Sequence, residues 1–321
     1  MRALISITAV AAALTLAACG QGSHQAAPAG PAHHSRESFS GGATADILFR
    51  RDDGVLISWS TNGAARTAAA SLGGAGNEWS VRGIGDFNGD GKADIVFRRD
   101  DGSVSIWSIN GGVVAAKDAV AGPGVDWDIA GVGDFDGDHK TDLLWRNAAG
   151  QVAVWTMNGA TVVNRGVLGG VANNWRVAAV ADFNGDGRDE ILWQREGGAM
   201  SLWEVNGVQK TSDAFIAGAS NDWSIVGAGD FDGDGKADIL WKHDGGQGSV
   251  WTMNGATVVS RGAISAGVPW SIAALGDYNG DGKYDVLWRN DQGALAVWTM
   301  NGATRDGGGM IGSITREWTI V

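Results

Sequence analysis

Five nine-residue stretches, rich in aspartate, asparagine and glycine, carry the side chains best spaced to do chemistry. The first, DFNGDGKAD, spans 86–94, and close copies lie at 134–142, 182–190, 230–238 and 277–285. Side-chain oxygens recur at positions 1, 3, 5 and 9 of each copy. They belong to Asp86, Asn88, Asp90 and Asp94 in the first copy and to Asp134, Asp136, Asp138 and Asp142 in the second. The third has Asp182, Asn184, Asp186 and Glu190, the fourth Asp230, Asp232, Asp234 and Asp238, and the fifth Asp277, Asn279, Asp281 and Asp285. At position 7 stand Lys92, Lys140, Arg188, Lys236 and Lys283, each offering a backbone carbonyl.

An alternation of hard oxygen donors around a sharp glycine turn suits Ca²⁺, which takes six to eight such ligands. Sulfur is absent from all five copies and imidazole from four, which argues against zinc and copper. Magnesium holds a stricter octahedron and keeps more of its water, so about five Ca²⁺ are expected. The other reading is a set of polar turns without an ion, but three or four carboxylates crowded in each of five loops would repel one another. The loops are not EF-hands: position 12 is Phe97, Trp145, Trp193, Trp241 or Trp288 where that motif needs a glutamate. The second copy has His139 at position 6, where the turn favours glycine, so that site is expected to be strained and weaker.

The elements that must hold these loops follow from the sixteen tryptophans, which fall into three columns. One is Trp79, Trp127, Trp175, Trp223, Trp270 and Trp318, spaced 48, 48, 48, 47 and 48 residues apart. A second is Trp59, Trp107, Trp155, Trp203, Trp251 and Trp298. The third is Trp145, Trp193, Trp241 and Trp288, with Phe49 and Phe97 in the first two repeats. Periodicity this strict marks a repeat architecture, and the columns read as core. Each unit divides into four short strands, A to D, and the acidic stretch is the A–B connection. Strands C and D are joined by Asn-Gly in all six units, from Asn62-Gly63 to Asn301-Gly302, which predicts hairpins with type I′ turns. No stretch carries a sustained helical period.

Six four-stranded units predict an all-β fold, a six-bladed β-propeller of antiparallel blades; an open array of sheets is the alternative. The chain opens at strand B and ends inside strand A, so the last strand can sit beside the first and close the ring. The sixth acidic loop falls at that cut. Its remnant keeps Asp46 but has Ser38, Ser40 and Gly42 where acids and amides stand elsewhere, and it is expected to hold no ion.

With their Trp columns, the D-x-[DN]-x-D-G-x-x-[DE] loops running into apolar strands resemble the FG-GAP/VCBS repeat family, which includes the propeller of integrin α subunits. The resemblance covers about 41–321. It implies calcium-binding blades and, among known members, adhesion and lectin-like modules; some related propellers are polysaccharide lyases. Integrin-type propellers have seven blades, so positions do not transfer blade for blade.

The ends carry a second resemblance. Arg2 precedes an apolar run from Ala3 to Ala18, too short for an ordinary membrane span and placed as a secretory signal. Leu16-Ala17-Ala18-Cys19 resembles the lipobox of bacterial lipoproteins, which implies that 1–18 is removed and that Cys19, the only cysteine, is lipidated. Gly20 at the next position implies the outer membrane or cell surface. A plain secretory signal with Cys19 incidental is the other reading. Residues 19–40 read as the anchor and a flexible tether, and 41–321 as the propeller. The lipid would be the only membrane contact. A net charge of −12 argues against nucleic acid and anionic surfaces as partners.

In a four-stranded blade the A–B and C–D loops share one face, and the B–C and D–A loops share the other. The B–C loops bring Arg98, Arg99 and Asp100; Arg146 and Asn147; Arg195 and Glu196; Lys242, His243 and Asp244; and Arg289, Asn290 and Asp291. Polar side chains beside tryptophans on a rigid scaffold suit a glycan or protein ligand; the alternative is a solvated rim whose charges pair with one another. Catalysis finds little support. Glu196 and Glu204 could serve glycoside chemistry only if they flanked one bond, and they fall toward opposite ends of strand C. No nucleophile–base arrangement or phosphate-cradling loop is present. The chain therefore reads as a non-enzymatic, envelope-anchored binding or adhesion module. A calcium-dependent polysaccharide lyase or hydrolase, or a purely structural envelope protein, is the alternative.

Overall fold

Strand B is the apolar centre of every repeat, and its buried face and buried back decide the architecture. The computed structural model describes residues 38–265, 267 and 269–321. The signal, Cys19 and most of the tether lie outside the described residues. Six four-stranded antiparallel sheets form, each with strand A inside and strand D at the edge.

Blade 1 joins β1 (Asp46–Arg51), β2 (Val55–Asn62) and β3 (Ala65–Gly74) to the last strand, β26 (Trp318–Ile320). Blade 2 is β4 (Trp79–Gly85), β5 (Asp94–Arg99), β6 (Val104–Asn110) and β7 (Val113–Val120). Blade 3 is β8 (Trp127–Gly133), β9 (Asp142–Asn147), β10 (Gln151–Asn158) and β11 (Thr161–Gly170). Blade 4 is β12 (Trp175–Ala181), β13 (Glu190–Arg195), β14 (Met200–Asn206) and β15 (Gln209–Ile216). Blade 5 is β16 (Trp223–Gly229), β17 (Asp238–His243), β18 (Gly248–Asn254) and β19 (Thr257–Ile264). Blade 6 is β20 (Trp270–Gly276), β21 (Asp285–Asn290), β22 (Ala294–Trp298) and β25 (Gly309–Ser313). There a small hairpin, β23 (Met300–Asn301) with β24 (Thr304–Arg305), breaks away where Thr299 Oγ1 donates to Asp306 Oδ1 at 2.7 Å.

The ring is closed as expected. Strand β26 pairs antiparallel with β1, aligning Phe49 with Ile320, Arg50 with Thr319 and Arg51 with Trp318. The strand-B aromatics Trp145, Trp193, Trp241 and Trp288 are buried, with Phe49 and Phe97 in their place in blades 1 and 2. Each packs tilted on the strand-C tryptophan of its own blade, at 4.6–5.1 Å between ring centroids. A strand-D cation then lies over that tryptophan in every blade: Arg66, Lys117, Arg165, Lys210, Arg261 and Arg305, at 3.5–4.9 Å. Such a cap is worth about 0.5–1 kcal/mol at an exposed site.

The C–D hairpins form, but their turns differ from the expected type. Strand pairing makes the central residues Gly63-Ala64, Gly159-Ala160, Gly207-Val208 and Gly255-Ala256, with the asparagine one place earlier in the ladder. Positive φ is confined to the glycine, at 56–59° in these four. Alanine and valine resist positive φ, so the Gly-first pattern of a type II′ turn replaces type I′. Gly111-Gly112 alone has both central residues at positive φ, as type I′ requires.

Candidate metal centre

The loop is shaped by its own first carboxylate. In the first copy, the amides of Gly89 and Asp90 donate to Asp86 Oδ1 at 2.7 and 3.2 Å, and the Gly91 amide donates to Oδ2 at 2.7 Å. The second, third and fourth copies repeat this arrangement around Asp134, Asp182 and Asp230, and the fifth around Asp277. Position 5 is exposed but tied back to its own loop: Asp90, Asp138, Asp186, Asp234 and Asp281 each accept the position-7 amide at 2.9 Å. The position-7 side chain reaches the other oxygen in four copies, from 2.7 Å for Lys140–Asp138 to 3.3 Å for Lys92–Asp90. In the fifth, Lys283 donates to Asn301 instead. In four copies the position-7 residue is thus the charge partner of position 5.

Position 9 sits at the root of the loop and is fully covered. Asp94, Asp142, Asp238 and Asp285 are 0 % exposed and Glu190 is 1 % exposed. One oxygen of each accepts the position-2 amide, as Phe231 donates to Asp238 Oδ2 at 3.0 Å. In the four aspartates the other oxygen accepts an amide near the end of strand C, as Met253 donates to Asp238 Oδ1 at 2.9 Å. No ion pair reaches these five carboxylates among the described residues. Burial, helped by the other loop carboxylates, raises their pKa values to about 7 for Asp94 and Asp238, about 8 for Asp285 and about 9 for Asp142 and Glu190.

Three loops bring acidic oxygens together tightly. Those of Asp134, Asp136 and Asp142, of Asp182, Asp186 and Glu190, and of Asp230, Asp232 and Asp234 lie within 4.8 Å of one another. These groups could hold a metal ion. In the first and fifth copies, with Asn88 or Asn279 at position 3, no such acidic trio forms among the described residues, whereas the third forms one although its position 3 is Asn184. Asn88 Nδ2 donates to Asp94 at 3.0 Å and Asn279 Nδ2 to Asp281 at 3.0 Å, which relieves part of the repulsion. Among the described residues, His139 is the one non-glycine residue with positive φ, at 64°, as its place in the turn implied.

The loops are not independent. The position-8 amide of each blade donates to the position-1 carbonyl of the blade before. The donors and acceptors are Thr141 to Asp86, Asp189 to Asp134, Ala237 to Asp182 and Tyr284 to Asp230, at 2.6–2.7 Å. Ala45 to Asp277 at 2.7 Å and Ala93 to Ser38 at 3.0 Å complete the circle. A second circle runs beside it, in which each C–D glycine amide donates to the position-2 carbonyl of the preceding blade, as Gly159 does to Phe87 at 2.6 Å. The six loops therefore form one hydrogen-bonded belt on the face they share with the hairpin turns.

That belt includes the sixth loop. Residues 38–46 keep the shape of the other five with only the position-9 acid retained: Gly42 donates to Ser38 Oγ at 2.9 Å and Phe39 to Asp46 Oδ2 at 2.8 Å. Ser38 and Phe39 are each 1 % exposed, so the propeller takes in Ser38, Phe39 and Ser40, which the sequence had placed in the tether. The backbone bonds of the belt need no carboxylate, so the segment folds with its ring although its side chains have changed. Asp189, at position 8 of the third copy, was passed over in the sequence. It is 0 % exposed and accepts the Asp134 amide at 2.7 Å, a second tie between blades 3 and 4. An acid where the other copies carry Ala, Thr or Tyr was the signal.

On the opposite face the predicted ligand residues divide. Arg98, 5 % exposed, donates to the carbonyls of Gly102 and Gly124 at 3.0 and 2.9 Å. Arg146 donates to Trp175 and Ala172, and Arg289 to Trp318 and Thr315, at 2.6–3.1 Å. These three arginines staple the B–C end of one blade to the D–A connection leading into the next. Arg99, Asp100, Arg195, Glu196, Asp244 and Asp291 are exposed, and Asn147, Lys242, His243 and Asn290 are half-buried. Glu196 lies in the loop before β14, whereas Glu204 lies near that strand's far end, opposite Ser212.

The acidic loops and the strands around them match models of a known repeat family. A model of the FG-GAP-like repeat matches residues 86–145, 134–193 and 182–241, and a model of the FG-GAP repeat matches 268–308. No curated protein matches the chain. Among solved structures, the computationally designed Ika8 protein is 15% identical, covering 85% of this chain and 76% of that one, with a TM-score of 0.43. A chain of the mitotic checkpoint complex is 10% identical, covering 88% and 82%, with a TM-score of 0.47. The C-terminal WD40 domain of Sif2 is 15% identical, covering 79% and 82%, with a TM-score of 0.40.

Proposed function

For a chain of FG-GAP repeats closed into a six-bladed propeller, we propose a non-enzymatic binding module whose five acidic loops take up calcium and whose opposite face presents a glycan or protein ligand. The observation that carries the calcium reading is the set of five position-9 carboxylates, buried without a counter-charge and with pKa values near or above neutrality. The donors around each are all oxygens, which fits a hard cation. A bound ion would supply the missing positive charge and draw positions 1, 3, 5 and 9 to one centre. Positions 1 and 2 of each loop also carry the belt, so an ion there would stiffen the ring as well as the loop.

Ligand binding is assigned to the B–C and D–A face because the metal face is occupied by belt and hairpin turns. The six half-buried strand-A tryptophans, from Trp79 to Trp318, begin their strands on that open face. Lipidation at Cys19 would hold the module at the outer membrane or cell surface, with the tether as a spacer. Two experiments test the reading. Chelation followed by re-addition of Ca²⁺ or Mg²⁺ should lower and then restore the melting temperature, with Ca²⁺ effective at lower concentration. A glycan array probed with the calcium-loaded protein should show saturable, sugar-selective binding. A melt unmoved by chelator refutes the first half, and a blank array moves the ligand to the protein class.

A further inference from the structure

The tryptophan that opens strand A is covered by a cation or a ring in four blades, and among the described residues no such cover lies on Trp127. The direct cross-strand partner of each, at the end of strand B, decides this. Arg51 lies over Trp318 at 5.3 Å, Arg99 over Trp79 at 6.0 Å and Arg195 over Trp175 at 5.6 Å, while His243 meets Trp223 edge-on at 5.0 Å. In blade 3 the partner of Trp127 is Asn147, whose amide turns away to Gln151 Oε1 at 2.7 Å. In blade 6 the partner of Trp270 is Asn290.

Beside the bare Trp127 a groove of about 220 Å³ opens, lined by Pro123, Trp127, Trp145, Trp155, Arg165 and Val167. That is below the roughly 300–1,000 Å³ of pockets for drug-sized ligands and fits a single ring. Three indoles give it flat apolar walls. Arg165 is its one charged lining residue; it is exposed, rests on Trp155 at 4.9 Å and makes no ion pair among the described residues. Trp145 is 0 % exposed and backs the groove with apolar ring surface.

We propose that this groove is a saccharide subsite for a carboxylate-bearing pyranose, a uronic acid residue of an acidic glycan. The proposal rests on the binding-module reading and gives it a place and a ligand class. The apolar face of the ring stacks on Trp127 and the carboxylate pairs with Arg165. An aromatic side chain of a peptide could stack there but would not bring the anion.

Calorimetric titration of the calcium-loaded full chain with a glucuronate-containing oligosaccharide and its carboxyl-reduced counterpart tests this. The acidic form should bind saturably and at least tenfold more tightly than the reduced form. Trp127→Ala should weaken binding at least tenfold. Arg165→Gln should bring the acidic form down to the level of the reduced one. Asn147→Arg installs the shield found in three other blades; it should abolish binding while leaving the melting temperature in place. Equal affinity for both forms, or unchanged affinity in Trp127→Ala and Asn147→Arg, overturns the proposal. Array binding by other glycans without the acidic one overturns it too, yet leaves the binding-module reading standing. A blank array from folded protein overturns this proposal and moves the ligand of the binding-module reading to the protein class.

Discussion

Stripping the metal should leave a protein whose stability rises on mild acidification, the reverse of what ion-paired carboxylates produce. Asp238 shows the size of the effect. Burial raises its pKa from 3.8 to about 7, so ionising it in the metal-free fold costs about 4 kcal/mol at pH 7 and above. At pH 5, little more than one unit above the unfolded value, the cost is below about 2 kcal/mol. A raised acid pKa means that the native state holds more protons than the unfolded chain between roughly pH 4 and the native pKa, so stability falls as pH climbs through that window. Asp94, Asp285, Asp142 and Glu190 act in the same direction, with windows ending near 7, 8, 9 and 9. Two such sites already match much of the roughly 5–15 kcal/mol by which a domain is stable. Chelator-treated protein melted by circular dichroism should therefore gain at least about 10 °C between pH 8 and pH 5. Excess calcium at pH 8 should erase most of that difference. A metal-free melting temperature that is flat or falls on acidification refutes the assignment of position 9 as a buried, uncompensated carboxylate.

Other outcomes follow from the same geometry. Asp230→Ala removes the acceptor of the Gly233 and Gly235 amides and should reduce bound calcium by one ion per chain in native mass spectrometry, leaving the other four sites nearly intact. His139→Gly relieves a positive φ that costs a non-glycine residue about 1–2 kcal/mol, so the second site should tighten, read as a gain in calcium affinity of that loop. Deleting 318–321 removes β26 and the pairing that closes blade 1; the melting transition should drop by several degrees and broaden. Gly133→Ala would set a Cβ 2.5 Å from Val180 Cγ1 and 2.7 Å from Asp189 Oδ2, so it should destabilise by about 1–3 kcal/mol in denaturant melts.

Most of the scaffold was legible because it is written six times. Three aromatic columns and an Asn-Gly in every unit leave few topologies open, and the truncated ends fix where the ring closes. The same redundancy made the acidic loops readable as one kind of site. Features that depend on backbone, or on a single copy, were harder to see. The sixth loop folds through belt bonds from Ser38 and Ala45, to which the loss of its acids is irrelevant. The hairpins take Gly-X at their centre, since the position of the asparagine in the ladder is set by pairing and not by the dipeptide. Arg98, Arg146 and Arg289 read as ligand-face residues, and the sequence did not show that each also donates to a carbonyl 26–29 residues further along the chain. Asp189 and the bare Trp127 each depart from the repeat at one place, and only the neighbouring blade or strand shows what the departure does.

The central claim is that five loops each hold one calcium ion. Native mass spectrometry of the folded chain, equilibrated with calcium and freed of excess, counts them directly. Five ions per chain, lost on chelation together with a large fall in melting temperature, is the result expected. A folded chain that retains no calcium and melts identically in chelator would contradict it.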